Sequence, residues 1–225
     1  MFDSIAGRYD CANDLLSFGI HRLWRRAAIR RAGISTGQTV VDLCSGTGDL
    51  AFAAARAVGP GGTVIGIDFV HRMLVLADRK RNASSFTRGV YFCQGDALQL
   101  PVPSNFADVV TVSFGIRNVD DPVAGVREML RVVRPGGTIM VLEFGQPQAF
   151  GFGQAYHLYS RYVMPIVGKI VTGNRHAYEY LPETSRRFPA GDAFVSLCRD
   201  AGCIHVQDIP LLSGVAHIYL GRKPA

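Results

Sequence analysis

The residues with most chemical content lie in one stretch, Val40-Val41-Asp42-Leu43-Cys44-Ser45-Gly46-Thr47-Gly48-Asp49-Leu50-Ala51. An apolar run enters a glycine-rich turn and leaves it as a helical pattern. Such a turn brings backbone N–H groups close to a bound ligand. Gly46, Gly48 and Ala51 have the spacing of a dinucleotide fingerprint, and Asp68 follows at the end of a second apolar run, Val64-Ile65-Gly66-Ile67-Asp68-Phe69. A nucleoside-containing ligand is the natural expectation, and a hydride-transferring enzyme is a legitimate competitor on the glycines alone.

Charge separates the candidates. A pyrophosphate needs a helix N-terminus free of negative charge. Here Asp42 precedes the turn and Asp49 opens the helix. Two carboxylates would repel a dianion and favour a ligand carrying an ammonium and a sulfonium, as the methionine half of S-adenosylmethionine does. The alternative is that both acids only cap the turn and the helix. Asp68 is suited to accept both hydroxyls of a ribose, which either ligand possesses. In Gln94-Gly95-Asp96-Ala97-Leu98-Gln99-Leu100-Pro101, Asp96 could accept from an adenine amino group while the Ala97 N–H donates to a ring nitrogen, unless Asp96 is a simple turn residue.

These groups need strands to end where they stand. Short apolar runs at Thr39–Leu43, Thr63–Asp68, Val90–Gln94, Asp108–Phe114 and Thr138–Phe144 alternate with helical patterns, and two more runs follow at His205–Ile209 and Ala216–Gly221. That order predicts an α/β, Rossmann-like fold: a seven-stranded, mostly parallel sheet with helices on both faces. Val126, Met129, Leu130 and Val133 fall at helical spacing, and Pro135-Gly136-Gly137 is expected to stop that helix before the fifth strand. Asp192 to Arg199 reads as a helix closed by Gly202. With no repeat or linker, residues 1–225 read as one domain. Two regions break the alternation: residues 1–33, helical and basic, expected as a lid, and residues 146–190, an aromatic helical insertion expected on the substrate side or at a homodimer surface.

Composition narrows the class. The chain has 225 residues, and its 48% hydrophobic content is ample for one sizeable core. No apolar run reaches the ~18 residues that span a bilayer, and no leader with a cleavage site opens the sequence. The five cysteines (Cys11, Cys44, Cys93, Cys198, Cys203) form no CxxC pair, so neither zinc nor a disulfide framework is expected, and they read as thiols of a reducing cytoplasm. Net charge is +6, with His21, Arg22, Arg25, Arg26, Arg30 and Arg31 gathered in Ile20–Arg31. Leu23, Trp24 and Ala27 sit at helical spacing against that basic face, which suits peripheral contact with an anionic membrane surface. Nucleic acid is suggested by charge alone, without the aromatic-basic interleaving of an RNA platform, and is not expected as a partner.

Taken together the chain resembles the class I methyltransferases and, more narrowly, the bacterial ubiquinone/menaquinone biosynthesis C-methyltransferase family. The resemblance rests on Phe2-Asp3-Ser4-Ile5-Ala6-Gly7-Arg8-Tyr9-Asp10, on Asn13 through Arg26, and on Ser113-Phe114-Gly115-Ile116-Arg117-Asn118-Val119. Arg134-Pro135-Gly136-Gly137, Leu142-Glu143-Phe144, Tyr180-Leu181-Pro182-Glu183-Thr184 and Phe188-Pro189 add to it. Cys44-Ser45 stand where small residues, often glycine, are common, and Thr184 replaces a usual serine. The resemblance implies cofactor contacts at Thr47, Asp68, Asp96, Ala97 and Ser113, beside Asp42, Gly46 and Gly48 of the glycine loop. It also implies a lipid-tailed hydroquinone as acceptor, and a related enzyme with another aromatic acceptor would carry the same cofactor site.

Methylating a ring carbon requires a nucleophilic ring, which ionising a neighbouring phenol supplies. A phenol ionises near pH ~10, so the site must take the proton or stabilise the phenolate. Arg117 is the expected cation, with Asn118 orienting the hydroxyl and Tyr9 positioning the acceptor from the lid. A structural salt bridge is the competing role for Arg117, and packing for Tyr9.

Overall fold

The computed structural model describes residues 9–83, 89–147, 149, 151–167 and 183–225. Two helices, α1 (Tyr9–Ser17) and α2 (Ile20–Arg31), lead into β1 (Thr39–Leu43), α3 (Asp49–Val58), β2 (Thr63–Asp68), α4 (His71–Asn82) and β3 (Val90–Gln94). There follow β4 (Ala107–Ser113), a 3-10 turn at Ile116–Asn118, α5 (Pro122–Val132) and β5 (Val133–Phe144). The insertion contributes α6 (Phe152–Leu158), running into a π-helical turn at Tyr159–Val163, and the chain ends with α7 (Asp192–Asp200), β6 (Ile204–Leu211) and β7 (Ala216–Arg222). Phe2 to Arg8 and Tyr180 to Pro182 lie outside the described residues.

The seven strands are ordered β3-β2-β1-β4-β5-β7-β6. All pairs from β3 to β5 are parallel. β7 runs antiparallel between β5 and β6. The central strands are apolar on both sides because both faces are covered. On one face Ala28 and Ile29 of α2 join Leu50, Ala51 and Ala54 of α3 over Val40 and Met140. On the other, Met129 and Val126 of α5 join Phe194 and Cys198 of α7 over Val41, Val112 and Tyr219.

One expectation changes and one gains detail. The fifth strand starts at Val133, five residues before Thr138, and Pro135-Gly136-Gly137 lie within it rather than between helix and strand. Val133 already pairs with Ala107, and the register then slips so that Thr138 pairs with Val109, leaving 134–137 as a bulge. The Lys223 ammonium donates to the Val133 carbonyl at 2.9 Å and the Gly136 N–H to the Lys223 carbonyl at 3.1 Å, so a distant segment holds the bulge in the sheet. The detail concerns the N-terminal helices. Within residues 1–33, α2 buries Ala28 and Ile29 in the core, and Trp24 packs on Phe114 with ring centroids 6.4 Å apart. α2 is therefore anchored in the core, with Trp24 half-buried against it.

Candidate active site

β1 and β4 are adjacent in mid-sheet, yet the chain leaves them towards opposite edges, so their carboxyl ends open a crevice. Both ends turn through a left-handed residue that is not glycine, Cys44 at φ 50° and Phe114 at φ 56°. That conformation costs roughly 1–2 kcal/mol for an L-residue, so the surroundings must hold it. Gly115 is part of the reason it is held: a Cβ there would lie 2.3 Å from the Cys44 Cβ, so only glycine lets the two turns touch.

The crevice is a cleft of about 540 Å³ lined by Gly46, Asp68, Asp96, Ala97, Ser113 and Asn118 among others. The Asp68 carboxylate accepts the N–H of Gly46 on one oxygen and that of Val70 on the other, each at 2.8 Å. It is thus fixed in place with a lone pair on each oxygen to spare. Burial raises its pKa against the lowering effect of those two N–H groups. Asp96 accepts the Leu98 N–H at 2.9 Å, and the Gln99 N–H returns to the Asp96 carbonyl at 3.1 Å, a turn that stiffens Ala97 on the cleft wall. The Ser113 hydroxyl lines the cleft, buried and without a hydrogen-bond partner among the described residues. Buried polar atoms rarely go unmatched, so this one marks a place for a ligand atom.

Other members of the glycine loop lie elsewhere. Asp42 is buried beneath the loop, accepting the Thr111 hydroxyl at 2.7 Å, and burial pushes its carboxyl up to about 7. Thr47 donates to Asp10 of α1 at 2.7 Å and accepts from the Lys80 ammonium at 2.9 Å. Gly48 begins α3 at φ 85°, and a Cβ there would lie 2.7 Å from the Phe92 ring, so it shapes the loop rather than lining the cleft. Asp49 is matched by Arg25 at 3.0 Å and Lys80 at 2.9 Å. Burial alone would raise its pKa, but the two cations hold it below the ordinary range. The repulsion expected from Asp42 and Asp49 is therefore largely offset. The acidity that disfavours a pyrophosphate comes instead from Asp68, Asp96 and Asp120, which line the cleft without any Lys, Arg or His among the lining residues.

Arg117 is also placed differently from expectation. Its side chain is 5% exposed, and its guanidinium donates to Glu143, itself 0% exposed, at 2.8 Å and to the Phe114 carbonyl. Burial raises the Glu143 carboxyl pKa, and Arg117 opposes that shift. The guanidinium lies 5.3 Å from the Phe144 ring centroid, and Phe144 and Phe114 pack with centroids 4.4 Å apart. Arg117 thus braces an aromatic pair from below, its charge balanced by Glu143. Its neighbour Asn118 faces the cleft. Tyr9 opens α1, and its side chain lies outside the described residues.

That aromatic pair has a second cleft on its far side, about 430 Å³, lined by Phe144, Gln146, Tyr156, His157, Arg161 and Arg186 among others. Burial, with neighbouring Tyr159, pushes the Tyr156 hydroxyl up to about 12, so it stays a hydrogen-bond donor. Tyr159 donates to the Leu16 carbonyl at 2.7 Å and so joins the insertion to α1. The Arg25–Asp49–Lys80 clasp and the pairing of Arg117 with Glu143 have no signal in local spacing, whereas a pocket beside the insertion 146–190 is in line with its aromatic composition.

The pattern of the ubiE/COQ5 methyltransferase family matches residues 1–223. This chain belongs to that family. It is an S-adenosylmethionine-dependent methyltransferase. Among relatives it is 44% identical over 222 residues to the ubiquinone/menaquinone biosynthesis C-methyltransferase UbiE of Bdellovibrio bacteriovorus, covering 98% of this chain and 93% of that one. It is 41% identical over 224 residues to the demethylmenaquinone methyltransferase of Anoxybacillus flavithermus, covering 100% and 94%. A solved SAM-dependent methyltransferase from Aquifex aeolicus shares the fold at TM-score 0.66 and 18% identity, with 88% of each chain covered. The cleft of this family member presents an anchored carboxylate at Asp68, an acidic turn at Asp96 and the unmatched Ser113 hydroxyl.

Proposed function

We propose that this methyltransferase methylates a ring carbon of a lipid-tailed hydroquinone, a demethylmenaquinol or a methoxy-polyprenyl-benzoquinol, with S-adenosylmethionine held at Asp68, Asp96, Ala97 and Ser113. The observation that carries the reading is the full-length kinship with quinone methyltransferases on a chain whose cofactor cleft adjoins a second, aromatic-walled cleft. When bound, the cofactor supplies an electrophilic methyl on a sulfonium. The protein must orient the ring, exclude water and draw a phenol towards its anion. Asn118 is suited to orient the hydroxyl from the cofactor side, and Tyr156 to donate from the other. Arg117 acts as a positioning residue, keeping Phe114 and Phe144 closed against solvent, and Gly46, Gly48, Thr47 and Asp42 set the loop beneath.

A lipid-tailed acceptor also calls for contact with a bilayer. No described helix is long and apolar enough to cross one. Instead Phe18, 79% exposed at the turn between α1 and α2, stands with exposed Leu15 and Leu23, and the insertion adds Leu158, Tyr162 and Ile166. Arg22, bonded to Asp14, and Arg26 and Arg161 are exposed on the same elements, a mixture suited to an anionic lipid surface at about 1 kcal/mol per unpaired arginine.

The test offers methyl-labelled cofactor with reduced demethylated naphthoquinols and benzoquinols, in anionic or neutral vesicles, and identifies products by mass. A methylated quinol, formed faster on anionic vesicles at low salt, is expected. Methylation of neither quinol class would refute the acceptor, and equal rates on both lipids the surface.

A further inference from the structure

We propose that Arg25 of α2 receives the carboxylate at the amino-acid end of the cofactor, an inference that rests on the cofactor reading of the first cleft. The cofactor's tail carries a carboxylate beside its ammonium, and an anion entering a cleft walled by Asp68, Asp96 and Asp120 needs a cation that the lining does not contain. Three cations stand close behind it. Lys80 is taken by Asp10 at 2.5 Å, Asp49 at 2.9 Å and Thr47 at 2.9 Å, one partner for each of its three protons. Arg117 is balanced by the fully buried Glu143 and bonded to the Phe114 carbonyl; its Nε also lacks a partner among the described residues, but its guanidinium lies against Phe144, a wall of the second cleft.

Arg25 alone of the three combines an unmatched donor with a contact to the glycine loop through Asp49. Its side chain is only 12% exposed, one nitrogen reaches Asp49 at 3.0 Å, and its Nε is buried with no partner among the described residues. Its guanidinium carbon lies 5.9 Å from the centroid of Phe114, a residue of the cleft wall. A buried guanidinium with donors in hand is costly to leave so, and a carboxylate matches its fork. The unmatched buried atoms Asp42 Oδ2, Ser45 Oγ and Ser113 Oγ belong to the same two strand ends, so polar atoms lacking partners gather where a zwitterionic tail would bring both charges. Because α2 is anchored in the core through Ala28 and Ile29, Arg25 is delivered by a rigid element.

Calorimetry tests this with three probes: S-adenosylhomocysteine, its decarboxylated analogue, and 5′-methylthioadenosine, which lacks the whole amino-acid end. Wild type should bind S-adenosylhomocysteine at least roughly tenfold more tightly than the decarboxylated analogue. Arg25→Gln should weaken S-adenosylhomocysteine by roughly ten- to hundredfold, leave methylthioadenosine within about twofold, and remove the preference for the carboxylated ligand. Arg25→Lys should recover part of the loss. Equal weakening of S-adenosylhomocysteine and methylthioadenosine would show that Arg25 only props the loop through Asp49 and would overturn the proposal. A wild type that does not distinguish the carboxylated from the decarboxylated ligand would overturn it without any variant. Wild type binding none of the three would refute the cofactor reading itself, a separate and recognisable failure.

Discussion

The two clefts on either side of Phe114 and Phe144 are built from different materials. The first is made of strand ends and backbone: Asp68 is held by two N–H groups, Cys44 and Phe114 are bent into left-handed turns, and Gly115 permits their contact. The second is made of side chains on one long insertion, with Tyr156, His157, Arg161 and Arg186 around an opening whose floor is Phe144. A site formed by backbone at the centre of a sheet is rigid and reads a constant ligand. A site formed by side chains on an added segment can be altered without disturbing the sheet. The contrast fits a common cofactor on one side and a particular acceptor on the other.

The partition between the clefts is where the comparison is most easily broken. Glu143→Gln leaves Arg117 as an uncompensated buried charge and should cost about 3–5 kcal/mol of stability, read as a lower melting temperature. Raising the pH should not restore activity to Arg117→Ala if the guanidinium only braces the wall. A phenolate-stabilising role predicts rescue at high pH with an unchanged melting temperature. Asp68→Ala should touch the first cleft alone: S-adenosylhomocysteine affinity falls by about 1.5–3 kcal/mol through loss of charge-assisted hydrogen bonds, while the acceptor KM stays near its original value. If calorimetry instead gave undiminished affinity, the ribose would have to lie elsewhere. The smallest effect should come from Tyr156→Phe, which removes one neutral donor worth about 0.5–1.5 kcal/mol. The acceptor KM should rise while cofactor affinity holds, and a change in both would show that the clefts are not separate sites.

Much of the first region is legible in the amino-acid sequence. The bounds of β1, β2 and β3 agree with the apolar runs, because each is a short β-branched or aromatic run ended by Gly, Asp or Gln within a few residues. Asp68, Asp96, Ala97 and Ser113 stand at or just beyond strand ends, so placing the strands places them. β5 is harder, since a proline and two glycines read as a stop, and only Lys223, just past the end of the neighbouring β7, shows why the strand runs through them.

The sequence by itself determined the sheet, its helices, the loop at its centre and, through motif resemblance, the family. What it could not show was which charges meet. Asp49 finds Lys80 at 31 residues' distance and Arg117 finds Glu143 at 26, pairings that local periodicity does not encode because they form only when separate strands and helices converge. A motif therefore says that an arginine stands beside the site, and only the tertiary structure decides whether its charge is still free to act there. Arg117 and Arg25 each pair with a carboxylate and each keep an unmatched Nε, but Arg117 lies against Phe144 with the fully buried Glu143 while Arg25 lies against Phe114 beside the glycine loop.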